Sequence, residues 1–264
     1  MPCVLYISGS IGLGHAARDL AIADQLRRLE PAIEIDWLAG EPARGLIEGT
    51  GETVLPESAA FGETDFAEAQ AEEFSLNIVT YVRRAIGAWT RAARAYFRAT
   101  AKGSYDLAIG DEAYELAVAF ILRPKLKRLP FVIIYDFLGL DAMTRSPVER
   151  LMVHMVNRMW GGGHRGKPPP EDLVLFVGEP EDIPDRPMGW RLPNRREYAE
   201  RYFEFLGYVF PFDPADYADR SKVRAALGYD DRPLILCTIG GTTVGRDLLE
   251  LCAAAYPHVA KRVP

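Results

Sequence analysis

Cysteine, histidine and long apolar runs are all scarce in this chain, and each scarcity removes a class of protein. The three cysteines, Cys3, Cys237 and Cys252, are too few for a disulfide framework and lack zinc-ligand spacing, so a reducing cytoplasm is the simplest setting. Of the four histidines, His154, His164 and His258 show no spacing typical of metal sites, and no metal is expected. The longest apolar runs, such as "LAVAFIL", fall well short of the about 20 residues that a membrane span requires. "MPCVLYISGS" has neither the basic start nor the small-residue cleavage site of a signal peptide. Basic charge is not in excess either. A net charge of −6 argues against broad, sequence-independent nucleic-acid binding.

What is present suits a globular cytoplasmic protein. Apolar residues make up 48% and charged residues 26% of the 264 positions, enough for one large domain or two modest ones. "CVLYIS" is apolar on both faces, as in a central parallel strand. The helix after it carries Ala16, Leu20, Ala23 and Leu26 on a buried stripe and ends before Pro31. "AIEIDWLAG" and the short "ETVLPES" read as strands, and the Ala-rich residues 64–101 as one or two helices. "YDLAIGD", "LPFVIIYD" and "DLVLFVG" are further strands, separated by the helical "EAYELAVAFILRPKLKR" and "SPVERLMVHMVNRMW". This alternation predicts an α/β fold with a doubly wound parallel sheet.

A Pro-rich charged stretch follows, and "FEFLGYVFPFDP" is a last strand running into a Pro-bounded linker. "SKVRAALGYDDRPLILCTIGGTTVGRDLLELCAAAYPHVAKRVP" then restarts the pattern as helix, strand, glycine loop and helix. One such unit cannot enclose its own core. Residues 1–210 are therefore expected to form a Rossmann-like domain, and residues 211–264 a linker and the start of a second, incomplete α/β domain. The alternative is that the extra strand and helix dock on the first sheet.

The loop in "YISGSIGLGHAARDLAIADQL" holds Gly9, Gly12 and Gly14, with His15 at the start of the helix. A dinucleotide fingerprint needs G-x-G-x-x-G, whereas the spacing here is Gly9-x-x-Gly12-x-Gly14. A phosphate-binding Walker loop would need lysine and a hydroxyl where His15 and Ala16 stand. A nucleophile elbow needs glycine where Ser8 stands. What remains is an imidazole at a helix N-terminus. The helix dipole there disfavours added positive charge, and a neutral imidazole at the mouth of a parallel sheet is placed for general-base work. The plain alternative is that His15 caps the helix over a tight glycine turn.

The two stretches "SGSIGLGHAARDLAIADQL" and "SKVRAALGYDDRPLILCTIGGTT" resemble the matching parts of GT-B glycosyltransferases, the nucleotide-sugar enzymes related to MurG and the UDP-glycosyltransferases. The resemblance is loose over the rest of the chain. It implies a hexosyltransferase-type enzyme that moves a sugar from a nucleotide-sugar donor, UDP-linked, to an acceptor hydroxyl with inversion. The donor is a substrate, and no cofactor is implied. The first domain would hold a small-molecule or lipid acceptor and the second the donor. His15 then corresponds to the base that deprotonates the acceptor, and Asp111 to the aspartate that supports it, with Glu112 the nearest substitute. Asp111 also suits the N-cap of the next helix.

Gly240, Gly241, Thr242 and Thr243 correspond to the loop that meets the donor diphosphate, where glycines admit the phosphates to the backbone and hydroxyls donate to them. The chain contains no Asp-x-Asp, so the metal-bridged diphosphate site of the other main glycosyltransferase fold has no ligands here. Asp136, in "YDFLGLDAMTR", follows a strand end and is placed to line an acceptor pocket, or to cap a helix. Leu151, Met155 and Met159 share a helical stripe followed by basic residues, which suits peripheral contact with a membrane or lipid acceptor but suits a core still better. With the donor domain incomplete, a partner chain would have to complete it, or the sequence is a fragment. Two other functions use the same features: a non-hydrolysing UDP-sugar 2-epimerase, and a non-catalytic acceptor-binding subunit of a split transferase.

Overall fold

The computed structural model describes residues 1–9, 13–61, 71–72, 75–76, 78–239 and 246–262, with the backbone alone for residues 71–85. In chain order the regular elements are β1 (Cys3–Ile7), α1 (Leu13–Leu29), β2 (Glu34–Leu38), α2 (Ala43–Gly49), β3 (Thr53–Val54), β4 (Ala71–Glu72), β5 (Ser75–Leu76) and α3 (Ile78–Lys102). They continue as β6 (Leu107–Asp111), α4 (Tyr114–Leu122), β7 (Phe131–Tyr135), α5 (Pro147–Trp160), β8 (Leu173–Phe176), α6 (Arg195–Tyr202), β9 (Glu204–Phe205), α7 (Arg220–Ala226) and α8 (Arg246–Val259). Seven strands form one parallel sheet in the order β3-β2-β1-β6-β7-β8-β9. The expected doubly wound α/β fold is the fold observed.

The two faces of the sheet explain its apolar strands. Along β1, Val4 and Tyr6 pack with α1 and α2, while Leu5 and Ile7 face α3 and α4. β7 does the same: Val132 and Ile134 point to the first side and Phe131, Ile133 and Tyr135 to the second. Both faces are covered, so both registers must be apolar. Under α1, Tyr6 and Trp37 stack with ring centroids 4.5 Å apart. On the opposite face α3 presents Ala92, Ala95 and Ala99, whose small side chains let the helix approach the sheet.

This winding positions the site. From β1 the chain moves outward to β2 and β3, then returns to lay β6 against the other side of β1. The connections leave a crevice at the carboxyl ends of β1 and β6, where open α/β sheets bind ligands. Ile7 pairs with Gly110, so Ser8 and Asp111, one residue further along each strand, share that edge.

Several local expectations differ. β4 and β5 form a small antiparallel pair, where helix was expected. Helix-rich composition is a weak prior beside tertiary context. The Pro-rich stretch contains α6, which the sequence reading missed. Asn194 starts it, accepting from the Glu197 N–H. The stripe of α5 is not core: Leu151 and Met155 are exposed, and the helix buries Glu149, Val153 and Asn157 instead. In the tail, α7 and α8 form, but "PLILCTI" joins no ladder, and Ile235 and Leu236 are 68% and 78% exposed. A strand with no neighbour leaves its backbone groups unpaired and both faces wet.

Hydrogen exchange checks this contrast. Amides of β1, β6 and β7 should exchange at the slowest rates in the protein, and those of residues 233–239 near the rate of an open chain. Equal protection of both would mean that the tail docks on the sheet.

Candidate functional site

His15 is the third residue of α1 and sits inside the helix, so it is not its cap. Its Nδ1 lies 2.8 Å from Asp111 Oδ2. Asp111 ends β6, and its side chain is fully buried. It does not cap α4, whose N-cap residue is Ala113 and makes no side-chain capping bond. Arg18, one helical turn after His15, is the second partner of Asp111. Its Nη2 donates to Asp111 Oδ1 at 2.5 Å, and its Nη1 donates to Asp136 Oδ2 at 3.0 Å. Arg18 Nη2 also lies 2.8 Å from His15 Nδ1. In the tautomer that carries its proton on Nδ1, the ring donates to the Asp111 carboxylate. The Nε2 lone pair is then free.

Nε2 faces two more carboxyl groups, Glu112 Oε2 at 3.8 Å and Asp136 Oδ2 at 3.9 Å. Glu112 adopts φ +50°, a left-handed conformation that a non-glycine residue keeps only when its surroundings hold it there. The Tyr114 hydroxyl donates to Glu112 Oε1 at 2.8 Å. Burial, and then the charge of Asp136 and a hydrogen bond with it, push Glu112 well above the usual carboxylate range. For Asp136, burial works against the charge, but the hydrogen bond with Glu112 and the charge of Arg18 outweigh it and hold the group below the usual range. Burial likewise opposes the charge on Arg18, and the Asp111 and Asp136 carboxylates more than offset it.

The first turns of α1 are tied down from below. Asp19 is fully buried and accepts from the Tyr6 hydroxyl at 3.0 Å and from Ser8 Oγ at 2.6 Å. These bonds join α1 to the end of β1. Burial, followed by the charge of Asp111, pushes Asp19 well above the usual range. Gly9 has a steric reason. A Cβ there would stand 3.1 Å from Asp111 Oδ2 and 3.2 Å from His15 Nδ1, wedging a methyl group against the pair. Gly14 has open space around it and lines a cavity of about 350 Å³ with His15, Arg18, Asp136, Val177, Tyr208 and Phe210.

The structure thus brings His15, Asp111, Asp136, Gly9 and Gly14 together. Gly12 and the loop of Gly240, Gly241, Thr242 and Thr243 lie outside the described residues. Sequence reasoning missed Arg18 and Asp19. Their signal is the charged pair in "HAARD", three and four residues after His15 and so on its side of the helix. His15, Glu112 and Asp136 each offer one ligand atom within 4.8 Å of the others. A dication there would have to compete with the Arg18 guanidinium for Asp136.

Glu112 also sets a pH dependence. Its folded-state value lies above its unfolded one, so its contribution to stability is full in acid and is lost as pH rises through the folded value. Glu112→Gln keeps a donor toward Asp136 without that penalty. The variant should match the parent near pH 4 and exceed it at pH 7, the gap growing by at most about 1.4 kcal/mol per pH unit. Urea unfolding at both pH values measures this, and a variant weaker than the parent at pH 7 would show that the carboxylate is ionised.

No protein-family model matches the sequence, and no curated protein does. Among solved structures the chain is similar to MurG of Acinetobacter baumannii, at 14% identity and a TM-score of 0.37 over 68% of this chain and 42% of that one. It is similar to the calicheamicin glycosyltransferase CalG4, at 16% identity and a TM-score of 0.44 over 81% of this chain and 54% of that one. A third similar structure is a UGT transferase from Siraitia grosvenorii in complex with UDP, at 10% identity and a TM-score of 0.44 over 88% and 56%. The chain spans about half the length of these structures.

Proposed function

We propose that this chain is the acceptor side of a metal-independent, inverting glycosyltransferase that moves a hexose from a UDP-linked donor to an acceptor hydroxyl. The observation that carries the reading is the 2.8 Å contact between His15 Nδ1 and buried Asp111 at the crevice between β1 and β6. With Nδ1–H committed to a carboxylate, Nε2 takes the acceptor proton as the acceptor oxygen attacks the sugar carbon and the nucleoside diphosphate leaves. Asp111 fixes the tautomer and stabilises the imidazolium that forms. Before transfer the cluster holds Asp111 and Asp136 as anions against Arg18 as cation. A proton arriving on His15 brings that balance to neutral, which favours the charge as it develops.

The donor belongs, on this reading, to the other half of the site. Gly240, Gly241, Thr242 and Thr243 would receive its diphosphate, and residues 211–264 would be a linker and the opening of a donor-binding domain. A second reading draws on Glu112. A buried carboxyl pushed above its usual range beside a neutral imidazole offers an acid and a base, the pair that a non-hydrolysing UDP-sugar 2-epimerase needs. Conversion of UDP-GlcNAc to UDP-ManNAc without an acceptor would favour it.

The test uses a protein that carries a complete donor domain. His15→Ala should lower kcat by about 10²–10⁴-fold, the usual worth of a positioned base, with little change in donor affinity. Asp111→Asn should cost less, and the double variant less than the product of the two. EDTA should leave the rate unchanged. Near-normal turnover of His15→Ala, with its fold intact by circular dichroism, would end the general-base reading.

A further inference from the structure

The cavity at His15 has two unlike sides. Its polar edge consists of His15 Nε2 and the half-exposed Asp136 carboxylate, 3.9 Å apart. Its apolar side consists of Val177, Val209 and Phe210, with the Tyr208 ring beside them. The Tyr208 hydroxyl is turned away to donate to Asp182 Oδ2 at 2.9 Å, so the ring and not the phenol is offered to the cavity. The cavity is open to solvent, and its volume of about 350 Å³ lies at the lower end of the range of small-molecule sites, about 300–1,000 Å³.

We propose that this cavity takes a neutral polyhydroxylated ring, a pyranoside, as the acceptor. The inference rests on the reading of His15 as the base. One ring hydroxyl faces Nε2 and a hydroxyl on the adjacent carbon donates to Asp136. Hydroxyls on neighbouring ring carbons lie about a hydrogen bond apart, so both fit groups separated as His15 and Asp136 are. The C–H face of the ring packs against Phe210. A single-hydroxyl ligand would cover Asp136 without adding a donor to those it has from Arg18 and Glu112, leaving lone pairs desolvated, which is costly. An anionic ligand would meet Asp136 in front and Asp111 behind, with one guanidinium between them. An ammonium has less to gain, because Arg18 already neutralises Asp136 at 3.0 Å.

Saturation-transfer NMR on this chain, without any nucleotide sugar, tests the inference with three probes that share a ring. These are methyl β-D-glucopyranoside, 2-methoxytetrahydropyran, which lacks the ring hydroxyls, and methyl β-D-glucuronide, which adds a carboxylate. The pyranoside should bind about tenfold more tightly than either of the others. Asp136→Ala should erase its advantage over 2-methoxytetrahydropyran. Phe210→Ala, at a half-exposed position that leaves the core intact, should weaken both. Equal binding of the two neutral rings, tighter binding of the glucuronide, or no binding of the pyranoside at millimolar concentration would each overturn the proposal. Because no donor is present, pyranoside binding by a protein that transfers no sugar would fail the transferase reading alone. Transfer to other acceptors without pyranoside binding would fail the acceptor class alone.

Discussion

Asp111 is the group on which the candidate site turns. It is a carboxylate with no access to water, and it stands at the point where the sheet reverses its winding. A charge in that position persists only if its oxygens are satisfied, and they are met by Arg18 on one side and His15 on the other. Both partners come from the first turns of α1, on one helical face. The dependence runs both ways. Without Asp111 the guanidinium of Arg18 would be half-compensated in a buried place, and the imidazole would lose the contact that selects its tautomer.

The surroundings of that group look chosen for geometry rather than for stability. Asp19, pinned by Tyr6 and Ser8, spends a buried carboxyl to join α1 to β1. Glu112 accepts a left-handed backbone, and burial pushes its carboxyl above the ordinary range. Gly9 forgoes a side chain so that His15 and Asp111 can meet. Each costs stability, and all bear on one imidazole. Strained backbone and displaced carboxyl groups gathered around a cleft are a common mark of a functional site.

The sheet was legible because it is buried on both faces: "CVLYI", "FVIIY" and "LAIGD" carry apolar residues in both registers, and nothing but a covered strand suits that pattern. His15 and Asp111 were legible because each follows a strand of that kind. Arg18 and Asp19 were not. A charged pair on a helix is read as solvent-facing, and only the crossovers that lay β6 beside β1 and β7 beside β6 bring Asp111 and Asp136 to Arg18. The exposed stripe of α5 misled for the converse reason. Periodicity reports that a helix has an apolar face, but the buried face of α5 is set by Asn157, whose amide bonds the backbone at Leu140 and Met188. "PLILCTI" has the composition of a strand, yet a ladder needs a neighbour, and composition says nothing of that.

The central claim is that His15 presents an unprotonated Nε2 to the cavity because Asp111 holds the proton of Nδ1. Long-range ¹H–¹⁵N correlation spectra of the protein, with His15 assigned by its absence from His15→Gln, report the tautomer directly. The account predicts the Nδ1–H form at neutral pH, changing to the other form or to a mixture in Asp111→Asn. An Nε2–H imidazole in the parent protein, with Nδ1 accepting from Arg18 instead, would contradict it.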